Sequence, residues 1–288
     1  MSSRTEAATV AKPAEGLPWA LWARQILAIL KLEVKKNFWG RRAILIYLLA
    51  LLPVLLFAAI ALVPPDPGGR SDPAFLNMMF ANIYEILILR TVVFFGCAWI
   101  FMNLFRGEVV DRSLHYYFLA ALRREVLLAG KYLSGLLTSL ILFVTATFFS
   151  LILLYLPLGY RATMQQLLEG HGLRYAAIYL AVTALACAGY GAVFLLIGLL
   201  FRNPIIPALA VYGWEFINFL LPPLLKKLSV IHYLQSLTPL PLSEGPFAIV
   251  AEPTPAWVSI PALLLMAALV LVFASLQIRR MEIRYGGE

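Results

Sequence analysis

The sequence predicts an all-α polytopic membrane protein with six transmembrane helices, and two observations carry that prediction. Hydrophobic residues make up 62% of the 288 residues, whereas charged residues make up only 13%. A soluble domain carries about a quarter of its residues as charged side chains, because water has to hydrate its surface. The apolar residues are also gathered into runs close to the roughly 20 residues with which a helix crosses the hydrocarbon core. Most of the surface is therefore expected to face lipid.

Six apolar runs define the predicted spans, and the segments between them are too short to fold as separate domains. The spans are Ala43–Val63, Ile83–Leu104, Tyr132–Leu156, Tyr175–Leu200, Ile205–Leu221 and Ala256–Leu276. The transmembrane domain accordingly covers residues 43–281, with a loop at 106–131 and an outer segment at 222–255. Residues 1–17 are predicted to form a flexible tail, and residues 282–288 form a second short tail.

The basic residues predict the orientation of the spans. The net charge of +8 is interpreted as topology rather than as affinity for nucleic acid, because cytoplasmic loops of membrane proteins collect Lys and Arg. If the N-terminal tail is cytoplasmic, most of these bases fall on the inner side, and six spans return the C-terminal tail to that side. The sequence thus predicts a multi-pass protein of the cell (inner) membrane with both termini in the cytoplasm.

Residues 18–42 are predicted to form an amphipathic helix that lies at the membrane interface. Apolar side chains recur there at spacings near three and four, and basic side chains occupy the other positions. The apolar positions are Trp19, Trp22, Ile26, Leu27 and Leu30. The tryptophans are expected at the level of the lipid headgroups, which makes membrane lipid a predicted partner.

The outer segment contains a second amphipathic stretch, from Pro223 to Leu234. Its apolar positions share one helical face, and its polar positions point away from that face. The apolar positions are Leu224, Leu225, Leu228 and Ile231, and the polar ones are Lys226, Lys227 and Ser229. The sequence leaves open whether this helix lies on the outer leaflet or dips back towards the spans.

The loop between spans two and three contains a predicted cytoplasmic helix. One face carries apolar side chains at i, i+3, i+4, i+7 and i+8, namely Leu114, Tyr117, Phe118, Ala121 and Leu122. Glu108 and Asp111 precede this face and Arg123 and Arg124 follow it, which suits the two ends of a helix dipole. Two interpretations remain open: the helix lies on the membrane, or it docks on a cytoplasmic partner.

The loop also resembles a known family. Glu108 and the following "DRSLHYYFLAALRREVLLAGKYLSG" are similar to the coupling-helix region of permease subunits in the type-2 ABC exporter family. The matching positions are Arg112, Ser113, Leu114, Arg123, Val126, Leu127, Gly130 and Lys131. Ala121 stands where that family often has proline. The six spans, the N-terminal amphipathic helix and the outer segment match as well, so the resemblance covers nearly the whole chain after the first tail.

The resemblance implies a permease subunit of an ATP-driven exporter that works with two kinds of partner protein. A second permease chain, identical or different, would complete the membrane unit, and a cytoplasmic ABC ATPase would bind the coupling helix. ATP and Mg would be bound by that ATPase, and this chain would hold no cofactor. The implied ATPase-coupling residues are Glu108, Asp111, Arg112, Leu114, Tyr117, Phe118, Arg123 and Arg124.

The sequence contains no ATPase motif of its own, so the chain itself is not predicted to be an enzyme. The pair Gly130-Lys131 fits the end of G-x-x-x-x-G-K-[ST], but Glu125 replaces the first glycine and Tyr132 replaces the hydroxyl residue. The three histidines are scattered along the chain, and no spacing typical of a metal site occurs. The sequence therefore favours an ATPase supplied by a partner.

Ionisable side chains inside the spans are the other candidate functional residues, because charge in lipid is costly. Arg90 in span two is expected to reach the level of Asn218 in span five, and of Glu215 if the helices tilt. In the resembled family spans two and five line the path between the permease chains, which makes Arg90, Trp214, Glu215 and Asn218 candidate pathway or dimer-interface residues. The alternative is a structural network that holds span two against span five. Glu85 is assigned to the outer interface without a role.

Two other functions remain alternatives. A secondary transporter would be expected to show inverted repeats and broken helices at matched positions, and no convincing pair is found. A non-transporting membrane scaffold or assembly protein would need no ATPase partner.

Overall fold

The computed structural model describes residues 19–40, 43–63, 72–110, 122–168, 171–240 and 254–280, with backbone alone at 108–110 and at 162. Over these ranges the chain is helical and contains no strand. Five helices in the described part are long and apolar enough to cross a membrane: Ala43–Leu62, Pro73–Gly107, Arg124–Leu158, Gly172–Leu200 and Ala256–Arg280. The chain is thus an all-helical protein with several apolar spans, as the composition predicts.

The helices follow one another with short connections. They are α1 (Trp19–Trp39), α2 (Ala43–Leu62), α3 (Pro73–Ile83), α4 (Phe94–Val110), α5 (Arg124–Ser139), α6 (Thr145–Tyr155), α7 (Tyr160–Leu168), α8 (Gly172–Leu200), α9 (Ile205–Phe216), α10 (Pro223–Lys226), α11 (Val230–Leu237) and α12 (Ala256–Arg280). Asp72 starts α3 by accepting a hydrogen bond from the Ala74 amide at 2.9 Å, with Pro73 in the first helical position.

The two longest helices each contain a π-helical stretch. Tyr84–Val93 joins α3 to α4 without a break, and Leu140–Val144 joins α5 to α6 in the same way. In a π-helix the backbone hydrogen bonds run from residue i to residue i+5, so side chains five positions apart come onto one face. Such stretches occur frequently at functional sites, and the first of them carries Arg90.

The centre of the bundle is the contact between α4 and α8. A Cβ atom at Gly198 would lie 2.7 Å from the Cα of Met102, and one at Gly191 would lie 2.5 Å from the ring of Phe101. Glycine is therefore required at both positions for the two helices to approach. Small residues at helix contacts are typical of membrane bundles, because packing rather than hydrophobic burial drives association in lipid. The sequence "CAGYGA" at 187–192 supplies such small residues in α8.

The predicted fifth span is a shorter element than the other five. Ile205–Leu220 is apolar and continuous, with a 3₁₀ turn at Ile217–Leu220. At about 1.5 Å per residue it covers about 24 Å, which is less than the ~30 Å hydrocarbon core. The chain then turns at Pro222 and Pro223 and folds back through α10 and α11.

The amphipathic stretch from Pro223 to Leu234 folds back against the spans, which is one of the two placements that the sequence leaves open. α11 packs against α8 and α12, and its residues from Val230 to Leu234 are buried. Leu224, Leu225 and Leu228 are exposed whereas Ile231 is buried, so the prediction that these four positions share one face is wrong. Lys226 and Ser229 are buried. The prediction assumed one helix, but the chain breaks between Lys226 and Val230, so the leucines of the first part turn outward.

Candidate functional site

Arg90 lies on the π-helical stretch and joins span two to α9. Its Nη1 donates a hydrogen bond to the main-chain carbonyl of Glu215 at 3.0 Å, and its Nη2 contacts the carboxylate of Glu85 at 3.2 Å. Glu85 and Arg90 are five residues apart, so the π-helical geometry places them on one face. The same carboxylate accepts a hydrogen bond from Nε2 of Gln235 in α11 at 2.6 Å. Arg90 therefore links three elements.

The carboxylate of Glu215 lies at the start of α11. Its Oε1 accepts from the amide of Val230 at 3.0 Å, and its Oε2 accepts from the amide of Ile231 at 2.8 Å. These are the first two N–H groups of the helix, which have no partner within it. The N-cap residue Ser229 makes no side-chain cap to its own helix. Glu215 thus caps α11 from another helix, and its negative charge faces the positive end of the helix dipole.

Tyr190 of α8 completes this cluster. Its hydroxyl donates to Oε2 of Glu215 at 3.2 Å, and its ring packs edge-on against Phe94 with the ring centres 5.2 Å apart. Tyr190 and Glu215 are both buried. Span two, α8, α9 and α11 therefore meet at one buried polar network, which we call the Glu215 network: Glu85, Arg90, Tyr190, Glu215, Gln235 and the first two amides of α11.

Two of the sequence-predicted residues, Trp214 on α9 and Asn218 in the 3₁₀ turn after it, take no part in these hydrogen bonds. Trp214 precedes Glu215 and is half-buried. Asn218 is buried, and neither its amide nitrogen nor its amide oxygen has a hydrogen-bond partner within the described part of the chain. A buried amide without partners costs free energy, so Asn218 is an exception that the network does not explain.

The sequence reasoning brought Arg90 and Glu215 together but missed how they are joined. Arg90 donates to the main-chain carbonyl of Glu215, whereas the carboxylate of Glu215 accepts from the first two amides of α11. Glu85 was assigned to the outer interface and given no role, so its pairing with Arg90 in the same helix was missed. The available signal was the presence of an acid and a base in one apolar helix, since ionisable side chains in such helices usually pair with one another.

Most of the predicted coupling residues lie outside the described side chains. These are Glu108, Asp111, Arg112, Leu114, Tyr117 and Phe118. Arg123 and Arg124, at the start of α5, are described. The guanidinium of Arg123 lies 4.9 Å from the ring centre of Trp22 in α1, a cation–π arrangement. Nη1 of Arg124 donates to the carbonyls of Ile278 and Arg279 at 3.1 and 2.9 Å.

These contacts fasten the end of the loop to the first and last helices. The two carbonyls that Arg124 binds belong to the last turn of α12, where a cation opposes the negative end of the helix dipole. Arg279 also forms an ion pair with Glu125, on the first turn of α5. Both sequence-predicted arginines therefore have partners inside the chain.

A second buried charge pair joins α1 to both ends of the loop. Nζ of Lys131 in α5 donates to Oε1 of Glu33 at 2.8 Å and to the carbonyl of Leu104 at 2.8 Å. Lys131 is fully buried and Glu33 is 2% exposed. Leu104 lies on α4 shortly before the loop, and Lys131 lies on α5 shortly after it. One ammonium group therefore connects the two sides of the loop and anchors them to α1.

Close packing supports this pair. A Cβ atom at Gly130 would lie 3.0 Å from the side chain of Ile29, so α1 lies against α5 at a glycine. α1 was predicted to be an interfacial helix, and its contact with α5 was missed. A signal was present, because Glu33 lies seven residues after Ile26 and four after Ile29 and is therefore an acid on the apolar face of a basic helix.

Within the described ranges no group of three or more His, Cys, Asp or Glu side chains lies close enough to hold a metal ion. Comparison with known proteins finds no family model that matches the chain and no curated protein similar to it. The features of the chain that bear on its function are therefore the two charge networks and the loop that lies between α4 and α5.

Proposed function

We propose that this chain is the membrane-spanning permease subunit of an ATP-driven ABC exporter. A separate cytoplasmic ATPase binds and hydrolyses ATP with Mg, and the loop between α4 and α5 receives its movement. The resemblance of the loop sequence to the type-2 exporter family motivates the proposal. The arrangement of the described residues around the loop supports it.

The single observation that carries the proposal is the way in which the loop is fastened. Lys131 joins both sides of the loop to α1, Arg123 adds a contact to Trp22, and Arg124 binds the end of α12. A partner that pushes on the loop would therefore move four helices together rather than bend a flexible segment. A membrane unit that switches between two states with the nucleotide cycle needs such a rigid connection, because the connection transmits the movement of the ATPase to the helices.

The proposal includes a second permease chain against α9. One face of α9 and of the 3₁₀ turn that follows it is exposed and carries small residues between larger apolar ones: Ile206, Ala210, Gly213 and Ile217. A Cβ atom at Gly213 would meet nothing within 4 Å, which leaves room for another helix. Small residues at such spacing let two membrane helices approach closely. The Glu215 network is then a structural support behind this face, with Trp214 and Asn218 as the candidates nearest to the path.

The proposed topology has six membrane-crossing segments with both termini in the cytoplasm of the cell (inner) membrane. Ile205–Leu220 serves as the short fifth crossing, and α10 and α11 form its return on the outer side. The supporting observation is that Arg202 and Asn203 stand at one end of this apolar helix and the turn at Pro222 and Pro223 stands at the other. A cysteine-accessibility map with Arg202→Cys and Lys227→Cys tests it, since a membrane-impermeant reagent should label only the second in whole cells.

The function is tested by purification of the full chain with its native neighbours in a mild detergent. We expect a protein with a G-x-x-x-x-G-K-[ST] phosphate loop to co-purify in stoichiometric amount. The double variant Tyr117→Ala/Phe118→Ala should lose this protein, because it removes the aromatic centre of the predicted docking face. The matched control is Tyr160→Ala, an exposed aromatic residue beyond the opposite end of span three.

The alternatives predict other results. A stable particle that moves solute along an ion gradient without any ATPase would indicate a secondary transporter. A particle that holds a different membrane protein and shows no transport would indicate a scaffold. Retention of the ATPase by the loop variant would contradict the proposed role of the loop.

A further inference from the structure

Two cavities meet between α1, α2, α4 and α9, at the end of the bundle that carries the loop. One has a volume of about 210 Å³ and the other of about 250 Å³. Ile46 of α2 and Trp99 of α4 belong to the walls of both. These two residues border both cavities, which lie side by side and which we together call the inner groove.

One half of the inner groove is apolar and opens sideways between α2 and α9. Its walls include Leu45, Leu49, Phe95, Met102, Ile205 and Leu209. Leu45 and Leu209 are 47% and 55% exposed, so the groove is accessible from the lipid around the bundle. An apolar recess that opens to lipid suits a hydrocarbon chain.

The other half is polar and lies against the C-terminal part of α1. Lys36 and Asn37 of α1 line it together with Asn103 of α4. Glu33 also lies in this wall, but its carboxylate is bonded to the ammonium of Lys131. Its negative charge is therefore compensated, and Lys36 leaves a net positive charge at this end of the groove.

The length of the groove suits an amphiphile. Asn103 at the polar end and Phe95 in the apolar half are about two turns of α4 apart, which is about 12 Å at 1.5 Å per residue. The positive end lies beside the basic interfacial helix α1, where anionic lipid headgroups concentrate. Basic pockets between transmembrane helices at that level are typical sites for such headgroups.

We propose that the inner groove binds one anionic phospholipid, with its headgroup at Lys36, Asn37 and Asn103 and one acyl chain between α2, α4 and α9. This inference goes beyond the proposed transport function and does not depend on an ATPase partner. A bound lipid would fill the space between α9 and the rest of the bundle and would stabilise the packing of the short fifth segment.

Native mass spectrometry of the full chain tests the proposal. The protein is released from micelles that contain equal amounts of phosphatidylglycerol and phosphatidylcholine with identical acyl chains. We expect one phosphatidylglycerol to be retained per chain in preference to phosphatidylcholine. Lys36→Gln should lower this preference about fivefold, which corresponds to about 1 kcal/mol for one base near an anionic headgroup. The control Lys35→Gln removes the same charge from an exposed position outside the groove and should leave the preference unchanged.

A second pair of variants tests the apolar half. Ala208→Phe fills the groove from α9 and should reduce the retention of both lipids, whereas Ala59→Phe adds the same ring at an exposed site on α2 outside the groove. Equal retention of the two lipids by the wild-type chain, or equal effects within either pair of variants, would overturn the proposal. If a second protein chain fills the groove instead, Ala208→Phe will lower the dimer fraction without changing lipid retention, and the proposal will again be wrong.

Discussion

The two buried charge networks of this bundle compensate their charges in different ways. Near the loop, the ammonium of Lys131 lies 2.8 Å from the carboxylate of Glu33, so two opposite charges neutralise each other. In the Glu215 network, the carboxylate of Glu215 is held by two amides of α11 and a tyrosine hydroxyl. Its neighbour Arg90 binds the main-chain carbonyl of Glu215 and pairs with Glu85.

The difference shows what each network holds in place. A direct buried ion pair fixes two helices against each other, because loss of either partner leaves an uncompensated charge. A carboxylate on a helix end fixes the start of that helix, because its bonds are to otherwise unpaired amides. The pair near the loop thus joins α1 to α5, and the Glu215 network determines where α11 returns. Four variants test whether the two networks act as separate supports.

Lys131→Met should have the largest effect. It removes the ammonium group that lies against the buried carboxylate of Glu33, and we expect a loss of about 3–5 kcal/mol in the free energy of unfolding. Unfolding in mixed micelles measures it, with Lys35→Met as the control for an exposed lysine. The double variant Glu33→Leu/Lys131→Met should recover most of the loss, since an apolar pair of similar volume replaces the charges. A double variant as unstable as the single one would show that the pair is not the origin of the effect.

Glu215→Gln should have an intermediate and more local effect. The amide nitrogen of glutamine is a donor and would face an N–H donor of α11, so we expect a loss of about 1.5–3 kcal/mol. Hydrogen exchange should show loss of protection at residues 230–237, whereas the helices α4 and α8 keep theirs. Lys131→Met should instead lower protection at α1 and α5. If both variants open the same segments, the two networks are not separate supports.

Asn218→Leu should have a smaller effect of opposite sign. The amide of Asn218 is buried without a partner in the described part of the chain, so replacement by an apolar side chain of similar size should stabilise the fold by about 1 kcal/mol. Thermal unfolding of the purified chain measures this change. A loss of stability, or a lower dimer fraction, would mean that the amide is bonded in the assembled protein.

Glu125→Gln should have the smallest effect. The ion pair between Glu125 and Arg279 is exposed, with side-chain exposures of 32% and 60%, and such pairs contribute about 0–1 kcal/mol. The loss should also shrink in high salt, because exposed charges are screened. A loss of stability above about 1 kcal/mol that does not depend on salt would indicate that this ion pair contributes more than an exposed pair usually does.

The sequence predicted the class of fold but only part of the site. Hydropathy was enough for the all-helical class and the apolar spans, because it depends on composition and periodicity. The depth of the residues along their helices placed Arg90 at the level of Asn218, and at that of Glu215 only with tilted helices, whereas the structure joins it to Glu215. The partner of Arg90 within its own helix was missed, because the π-helical geometry that aligns Glu85 depends on packing and not on a local pattern.

Other misses have similar causes. The prediction that Leu224 and Leu228 share a face with Ile231 was wrong because a short break in the chain changes the register of everything after it, and hydrophobic spacing cannot show a break. In lipid an exposed leucine is also stable, so apolarity alone does not predict burial. Glu33 was missed because its partner lies far along the chain, on α5. Long-range pairs of this kind become visible only in the folded structure.

The central claim is that the loop between α4 and α5 docks on a cytoplasmic ATPase rather than on the membrane. A photo-crosslinking amino acid at Tyr117 of the full chain in cells tests it most directly, with Tyr160 as the matched control position. We expect position 117 to crosslink to a protein that carries a nucleotide-binding phosphate loop, and position 160 not to. Crosslinking of position 117 to lipid alone would show that the loop lies on the membrane instead.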